Sequence, residues 1–108
     1  MSNNSIEDLN GLQNLKEVRA LTIIGNPSLK SLEGLENITK ISSLNITNNE
    51  QISDVPLFSN FKDKLGGIII SDNSSLKDIS GFKQIEQLGS LHISNNSELL
   101  EISGLNKL

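Results

Sequence analysis

The sequence predicts a mainly β fold, an α/β-like solenoid of stacked coils that are 23 to 24 residues long. Three observations predict it. Large apolar residues recur at a fixed spacing, each repeat holds one short stretch of alternating apolar residues, and an asparagine follows that stretch in every complete repeat. A fixed period of this length indicates a repeat architecture, whatever the local propensities are.

Each complete repeat has seven apolar positions followed by the asparagine. The chain contains 36 Leu, Ile, Val and Phe residues, and 32 of them fall on the repeat positions. Successive repeats start 23, 23, 24 and 23 residues apart. We therefore predict one repeat domain over 1–108 with about four and a half coils. The coils are 6–28, 29–51, 52–75, 76–98 and a partial coil at 99–108.

The last two apolar positions of each complete repeat are separated by one residue, as in Leu44 and Ile46. This period of two is typical of a β-strand with one face turned inward. Strands are predicted at 19–24, 42–47, 66–71 and 89–94. Because they recur in the same direction, they form a parallel sheet, and stacking them about 4.7 Å apart buries a continuous aliphatic core.

The remainder of each coil is less regular. Leu35, Ile38 and Ile41 have a period of three, which suits a 3-10 turn, a short helical turn or a coil along the edge of the stack. Leu29 and Leu32 predict a second, shorter extended segment.

Glycine occupies an equivalent turn position in four repeats and predicts a positive φ or a close backbone approach. These glycines are Gly11, Gly34, Gly81 and Gly104. The third coil departs from the pattern, because it has Pro56-Leu57 at this turn and one extra residue near 62–64. A bulge is expected there, either as a tolerated insertion or as a place for function.

The asparagine that ends each strand is interpreted as structural. The four are Asn26, Asn49, Asn73 and Asn96. A buried carboxamide can satisfy the backbone of its own turn and also bond the equivalent side chain in the next coil, which would form a ladder. The alternative is a row of ligand-binding amides.

Composition excludes several classes of function. The chain has no cysteine and one histidine, so it has no disulfide scaffold, thiolate metal site or imidazole cluster. The net charge of −4 is spread along the chain, which argues against nucleic acid as a partner, and no apolar run is long enough for membrane insertion. The lone His92 has no oriented nucleophile, so we predict no enzyme activity, no catalytic residue, no metal and no cofactor.

A family resemblance is carried by one pattern, the run L-x-I-x-x-N-x-x-L-x-x-L-x-G-L-x-x-I-x-x-I. LTIIGNPSLKSLEGLENITKI has it in full, and LNITNNEQISDVPLF and LHISNNSELLEISGL have its first part with some positions changed. These segments resemble the receptor L-domain repeats of insulin- and EGF-receptor-like ectodomains and of microbial surface proteins. Leucine-rich repeats proper are close relatives, but they have one residue rather than two between the asparagine and the next leucine.

The resemblance implies a right-handed, leucine-rich-repeat-type parallel β-helix that serves outside the cell as a binding or spacer module. The family's terminal disulfides have no counterpart in this chain, so hormone-receptor function is not transferred. A microbial cell-surface or secreted protein is the expectation. No secretory signal is present in the sequence as given, so we expect a fragment of a longer solenoid or, alternatively, a cytoplasmic protein.

The outward side of the sheet is the predicted partner surface, because solenoids bind on extended repeat surfaces. Its candidate residues are Thr22, Ile24, Asn45, Thr47, Ile69, Ser71, His92 and Ser94. We predict a non-catalytic recognition module for a protein or glycan partner. The alternatives are a structural spacer and an intracellular leucine-rich scaffold. Flanking repeats or end-to-end self-association are also expected, because the stack has no visible polar caps.

Overall fold

The structure, a computed structural model, describes residues 6–58 and 64–99. Within these residues the regular elements are four strands and two short 3-10 helices. The strands are β1 (Glu17–Ile24), β2 (Lys40–Thr47), β3 (Leu65–Ser71) and β4 (Leu88–Ser94). The 3-10 helices span Asn10–Leu12 and Ser80–Phe82, and no α-helix occurs in the described part of the chain.

The four strands form one sheet in the order β1-β2-β3-β4, and every neighbouring pair is parallel. The chain therefore winds as a β-solenoid of about three turns. The predicted mainly β, parallel repeat architecture is confirmed. All four strands end at the predicted residue, and each begins one or two residues earlier than predicted.

The strand register places equivalent apolar residues of successive coils side by side. Leu21 pairs with Leu44 and Leu44 with Ile68, while Ile23 pairs with Ile46. Ile23, Ile46 and Ile68 are at most 1% exposed. Burying a side chain of this size contributes roughly 1.5–3 kcal/mol relative to leaving it in water. Because a single coil cannot enclose its own apolar stripe, this stabilisation comes from the neighbouring coil.

The connecting arms contain two short 3-10 helices, which end at Leu12 and Phe82, the first residues of the period-three stretch in their coils. The 3-10 helices occur in the first and fourth coils, whereas the second coil has turns in that region. The second extended segment is reduced to an isolated parallel bridge between Asp54 and Asp78. On the interior side, the rings of Phe58 and Phe82 stack with centroids 5.7 Å apart and planes 5° apart, which joins the third and fourth coils.

The predicted glycine turn is correct at two of the described positions and wrong at one. Gly34 has a φ of 114°, and a Cβ there would collide with the carbonyl oxygen of Leu9. A Cβ at Gly81 would collide with the carbonyl oxygens of Pro56 and Val55. At Gly11 neither reason applies, because φ is not positive and an added Cβ would meet nothing within 4 Å.

Some predictions fall on residues that the structure does not describe. The extra residue of the third coil is predicted near 62–64, and 62–63 belong to the stretch 59–63. Most of the partial coil at 99–108, together with Gly104, falls on 100–108. These stretches lie outside the described residues.

Candidate recognition surface

The outer face of the sheet is defined here by two columns of outward-pointing residues. One column is Thr22, Asn45, Ile69 and His92, and the other is Ile24, Thr47, Ser71 and Ser94. Because the strands are parallel and in register, each column runs straight across all four strands. The structure thus brings all eight predicted partner-binding residues together on one side of the sheet.

Exposure differs strongly among these residues. Ile69 is 41% exposed and Ile24 37%, and both are large apolar side chains in contact with solvent. Ser71 is an exception, because it is buried, with 8% of its surface exposed. It lies on an inner strand, and its hydroxyl is 3.2 Å from that of Thr47. Ser71 therefore offers little surface to a partner, and its part in partner binding stays a prediction.

Several polar groups of the outer face bond one another. The Thr47 hydroxyl donates to Oδ1 of Asn45 at 2.5 Å, and the Ser94 hydroxyl lies 3.1 Å from Nε2 of His92. Such pairs restrict the side-chain rotamers, which lowers the entropy that a partner must remove on binding. The outer face is thus more ordered than a surface of free polar side chains.

Formal charge is confined to the beginning of the strands. Glu17, Arg19 and Lys40 lie at the start of β1 and β2, where they border a shallow concavity with Val18 and Ser42. The outer-face columns contain no acidic residue, lysine or arginine. This surface therefore offers a partner hydroxyl groups, one amide, one imidazole and two isoleucines, and no cluster of acidic or basic side chains.

The four strand-ending asparagines form a hydrogen-bonded column beside the core. Asn49 shows the pattern: its backbone N–H donates to Oδ1 of Asn73 at 3.0 Å. Its Nδ2 donates to the carbonyl of Ile23 in the preceding coil at 2.9 Å and to that of Thr47 in its own coil at 3.1 Å. The column is Asn26, Asn49, Asn73 and Asn96, which are 1%, 0%, 0% and 9% exposed.

Burial separates this column from the outer face. The amide groups bond backbone atoms of two coils at once, which satisfies strand-end carbonyls that would otherwise be buried without a donor. A ligand would have to break these bonds to reach the amides. The geometry supports the structural interpretation rather than a row of ligand-binding amides.

Sequence reasoning missed a backbone feature immediately before each of these asparagines. The preceding residue has left-handed backbone geometry in each of the four complete coils. These residues are Gly25, Asn48, Asp72 and Asn95, with φ of 66°, 57°, 57° and 55°. Glycine, asparagine and aspartate are the residues that adopt this conformation most readily. The repeated Gly-Asn, Asn-Asn and Asp-Asn pairs were the available signal.

A second missed feature lies at the start of the arm, where a side-chain oxygen accepts a backbone N–H two residues later. Asp8 accepts from Asn10 at 3.2 Å, Ser31 from Glu33 at 3.0 Å and Asp78 from Ser80 at 2.7 Å. The Ser80 N–H, and then the Ser80 hydroxyl, lower the pKa of Asp78 below its usual value of 3.8. Aspartate or serine at the third position of the first, second and fourth coils is typical of such turns.

Neither a metal cluster nor a membrane-spanning segment emerges from the described structure. Residues 6–58 and 64–99 contain no group of three or more His, Asp or Glu side chains placed to hold a metal ion. In the same ranges, no helix has the length and apolar character needed to cross a membrane.

The fold and its surfaces define a class: a parallel β-solenoid repeat protein with a buried asparagine column and an uncharged outer sheet face. Comparisons with protein-family models, curated proteins and solved structures found no match to this chain.

Proposed function

We propose that this chain is a non-catalytic recognition module that binds a protein or glycan partner on its outer face. The observation that carries the proposal is the pair of exposed isoleucines, Ile24 and Ile69, set in otherwise small, neutral and polar columns. A flat surface of this kind permits close approach of a partner, and the apolar residues provide contact area as water is excluded. The hydroxyl and amide groups around them supply directional hydrogen bonds.

The same proposal includes the finer architecture. We propose right-handed coils of the receptor L-domain or leucine-rich-repeat type, about four and a half in number. Support comes from the hydrogen bonds of the asparagine column, which join residues 23 or 24 positions apart and so match the sequence period. The proposed setting is a cell-surface or secreted protein, with a cytoplasmic location as the alternative, and it rests on the resemblance to L-domain repeats.

A structural spacer is the second candidate function. The continuous asparagine column and the shared aliphatic core favour it, because both make successive coils one rigid stack. A spacer needs no specific surface, whereas a recognition module fails when its surface changes. An intracellular scaffold for protein interactions would use the same outer face and differs only in location.

A surface variant separates recognition from spacing. It replaces one complete outer-face column by alanine, namely Thr22, Asn45, Ile69 and His92. The chain is immobilised and probed with an array of purified cell-surface ectodomains and with a glycan array. We expect wild-type binding to at least one probe, and at least about tenfold weaker binding of the variant to it.

The control variant changes four exposed residues away from the sheet. It carries Lys30→Ala, Glu50→Ala, Leu57→Ala and Lys77→Ala; Leu57 is 40% exposed and thus matches Ile69 in accessible apolar character. We expect the control to bind like wild type and both variants to melt at the wild-type temperature. Equal binding by wild type and the column variant would contradict recognition by the outer face. Absence of binding on both arrays would favour the spacer.

A further inference from the structure

The cationic side chains of this acidic chain are gathered where the strands begin. Seven lysine and arginine residues are described, and four of them lie within two residues of the start of a strand. These four are Lys16, Arg19, Lys40 and Lys64. Among the eleven described acidic residues, only Glu17 and Glu86 lie so close to a strand start. The strand starts therefore carry a net charge of +2, and the other described residues carry −6.

Three of these cations are available to a ligand. Arg19, Lys40 and Lys64 are exposed, and no residue in the ranges 6–58 and 64–99 forms an ion pair with them. Glu17 lies opposite Lys40 in the strand register, but the two side chains form no ion pair. A cation with a carboxylate partner would lose that contact on binding an anion, whereas these three exchange only water for the ligand.

Arg19 and Lys40 line the same shallow concavity, together with Glu17, Val18 and Ser42. Arg19 lies on β1 and Lys40 on β2. Neighbouring strands are about 4.8 Å apart, so both long side chains can reach one anionic group. The Ser42 hydroxyl adds a hydrogen-bond donor. With two cations against one carboxylate, the concavity favours an anionic ligand.

The surface beside these cations is low and open. Lys64 holds in the third coil the position that Lys40 holds in the second, and each is followed two residues later by a small exposed residue, Gly66 or Ser42. A Cβ at Gly66 would collide with the carbonyl oxygen of Ser42, so no larger side chain fits at this point. Ser43 on β2 is also exposed. Six residues make up this surface, the basic corner: Arg19, Lys40, Ser42, Ser43, Lys64 and Gly66.

The chemistry of the basic corner narrows the class of anion. Single-stranded nucleic acid is held by bases stacked on aromatic rings, but the chain has no Trp or Tyr, and the described Phe58 and Phe82 are buried. The charge of −6 on the remaining described residues also repels a polyphosphate. An acidic protein segment would need an apolar anchor, and the one apolar residue in the concavity, Val18, is half-buried. Serine hydroxyls and exposed glycine backbone suit a ligand rich in hydroxyl groups.

We infer that the basic corner binds a linear acidic polysaccharide. The carboxylate or sulfate groups of the polymer pair with Arg19, Lys40 and Lys64, and its sugar hydroxyls bond Ser42 and Ser43. Because the three cations lie at the starts of three successive strands, the polymer runs across the strands, along the axis of the stack. The site is separate from the outer-face columns, so the inference goes beyond recognition by the outer face and does not depend on it.

Direct binding measurements test the inference. Isothermal titration calorimetry at about 50 mM and about 300 mM salt uses polygalacturonate, which has a carboxylate on each sugar, and heparin, which also carries sulfates. Dextran is the neutral polysaccharide, while polyglutamate and single-stranded DNA are anionic polymers of other classes. We expect the wild type to bind at least one acidic polysaccharide and not dextran. Binding should be at least about fivefold weaker at the higher salt concentration, because screening weakens exposed ion pairs. The tighter of the two acidic probes distinguishes carboxylate from sulfate recognition.

Two double variants locate the site. Arg19→Gln with Lys40→Gln removes two cations from the basic corner, and Lys30→Gln with Lys77→Gln removes two exposed cations from the connecting arms. Both double variants have the same net charge, so they differ only in where the charge is lost. We expect the first to bind the polysaccharide at least about fivefold more weakly and the second to bind it like wild type. Glu17→Gln should bind roughly twofold more tightly, because it removes the carboxylate from the concavity.

The inference is overturned if neither acidic polysaccharide binds at the lower salt concentration, or if the two double variants lose affinity equally. It is also overturned if polyglutamate or DNA binds as tightly as the better polysaccharide. Amide chemical shifts of the wild type give a measurement that needs no variant: the polysaccharide should move the signals of Ser42, Ser43 and Gly66 and not that of Asn49.

The alanine variant of the outer-face column separates this inference from the proposed function. It should bind the acidic polysaccharide like wild type, because the basic corner is unchanged in it. A loss of polysaccharide binding in that variant would place the ligand on the outer face and overturn the assignment to the basic corner. Failure of the polysaccharide to bind any form of the chain would leave recognition by the outer face as proposed.

Discussion

The side-chain amide of Asn49 donates to the backbone carbonyl of Ile23 at 2.9 Å, across 26 residues of chain. Its oxygen accepts the backbone N–H of Asn26 at 3.2 Å. One buried side chain thus satisfies a donor and an acceptor of the preceding coil while it also bonds the carbonyl of Thr47 in its own coil. Removing such a group leaves several buried backbone atoms without partners, which is costly.

Asn49→Ala is therefore expected to lower the free energy of unfolding by about 3 kcal/mol or more, since each unsatisfied buried group costs roughly 1–3 kcal/mol. The measurement is urea unfolding followed by circular dichroism. Asn37→Ala is the matched control, because Asn37 is exposed and its amide donates to the carbonyl of Gln13 at 2.7 Å. Equal losses in the two variants would contradict a structural role for the column.

Gly11 and Gly81 occupy the same position of the first and fourth coils but meet different surroundings. We expect Gly81→Ala to destabilise the fold by about 2 kcal/mol or more, because the new Cβ would collide with backbone carbonyls of Val55 and Pro56. Gly11→Ala should be neutral or stabilise by roughly 0.5 kcal/mol, because alanine restricts the unfolded chain and meets no neighbour here. Thermal and urea unfolding of both variants measure the difference, and similar destabilisation of both would contradict it.

The strand ends could be predicted from sequence, and the strand starts could not. At the C-terminal end, the pair of alternating apolar residues and the asparagine fix the inward-facing side chains, as at Leu44, Ile46 and Asn49. At the N-terminal end, pairing with the neighbouring coil decides where the strand begins. Glu17 pairs with Lys40, and neither residue belongs to the apolar pattern.

The sequence also could not predict how deeply the residue at a given repeat position is buried. Leu44 and Leu91 occupy the same slot, yet Leu44 is 3% exposed and Leu91 40%. Leu21 holds this slot on the other edge strand and is 8% exposed, so the packing around each strand, and not the slot alone, decides burial. The same dependence on neighbours explains why Gly81 is essential to close packing and Gly11 is not. Periodicity identifies which residues can form the interior, whereas the stack determines which of them are covered.

The left-handed corner before each strand-ending asparagine predicts a residue-specific effect at Asn48. Asn48 is exposed and has a φ of 57°, and its N–H donates to the carbonyl of Ser71 at 3.0 Å. Asn48→Gly should leave stability within a few tenths of a kcal/mol, while Asn48→Ala should cost about 1 kcal/mol, because a Cβ disfavours this conformation. Urea unfolding checks the order of the two variants. Equal stability of the alanine and glycine variants would contradict the role of backbone geometry.

The turn at Asp78 predicts a contribution to stability that depends on pH. Its carboxylate accepts the Ser80 N–H at 2.7 Å, and the bonds from Ser80, helped by the charge of Lys83, lower its pKa in the folded state. A carboxyl group with a lowered folded pKa stabilises the fold above its unfolded pKa, and this stability is lost as the pH falls through the folded value. Asp78→Asn should therefore show a smaller loss of stability than wild type as the pH falls below 3.8. The midpoint of urea unfolding, measured from neutral pH to acid, gives the dependence of stability on pH for each variant. Glu50→Gln, at an exposed position, is the control. If the stability of Asp78→Asn fell with pH as steeply as that of wild type, the carboxylate at this turn would not stabilise the solenoid.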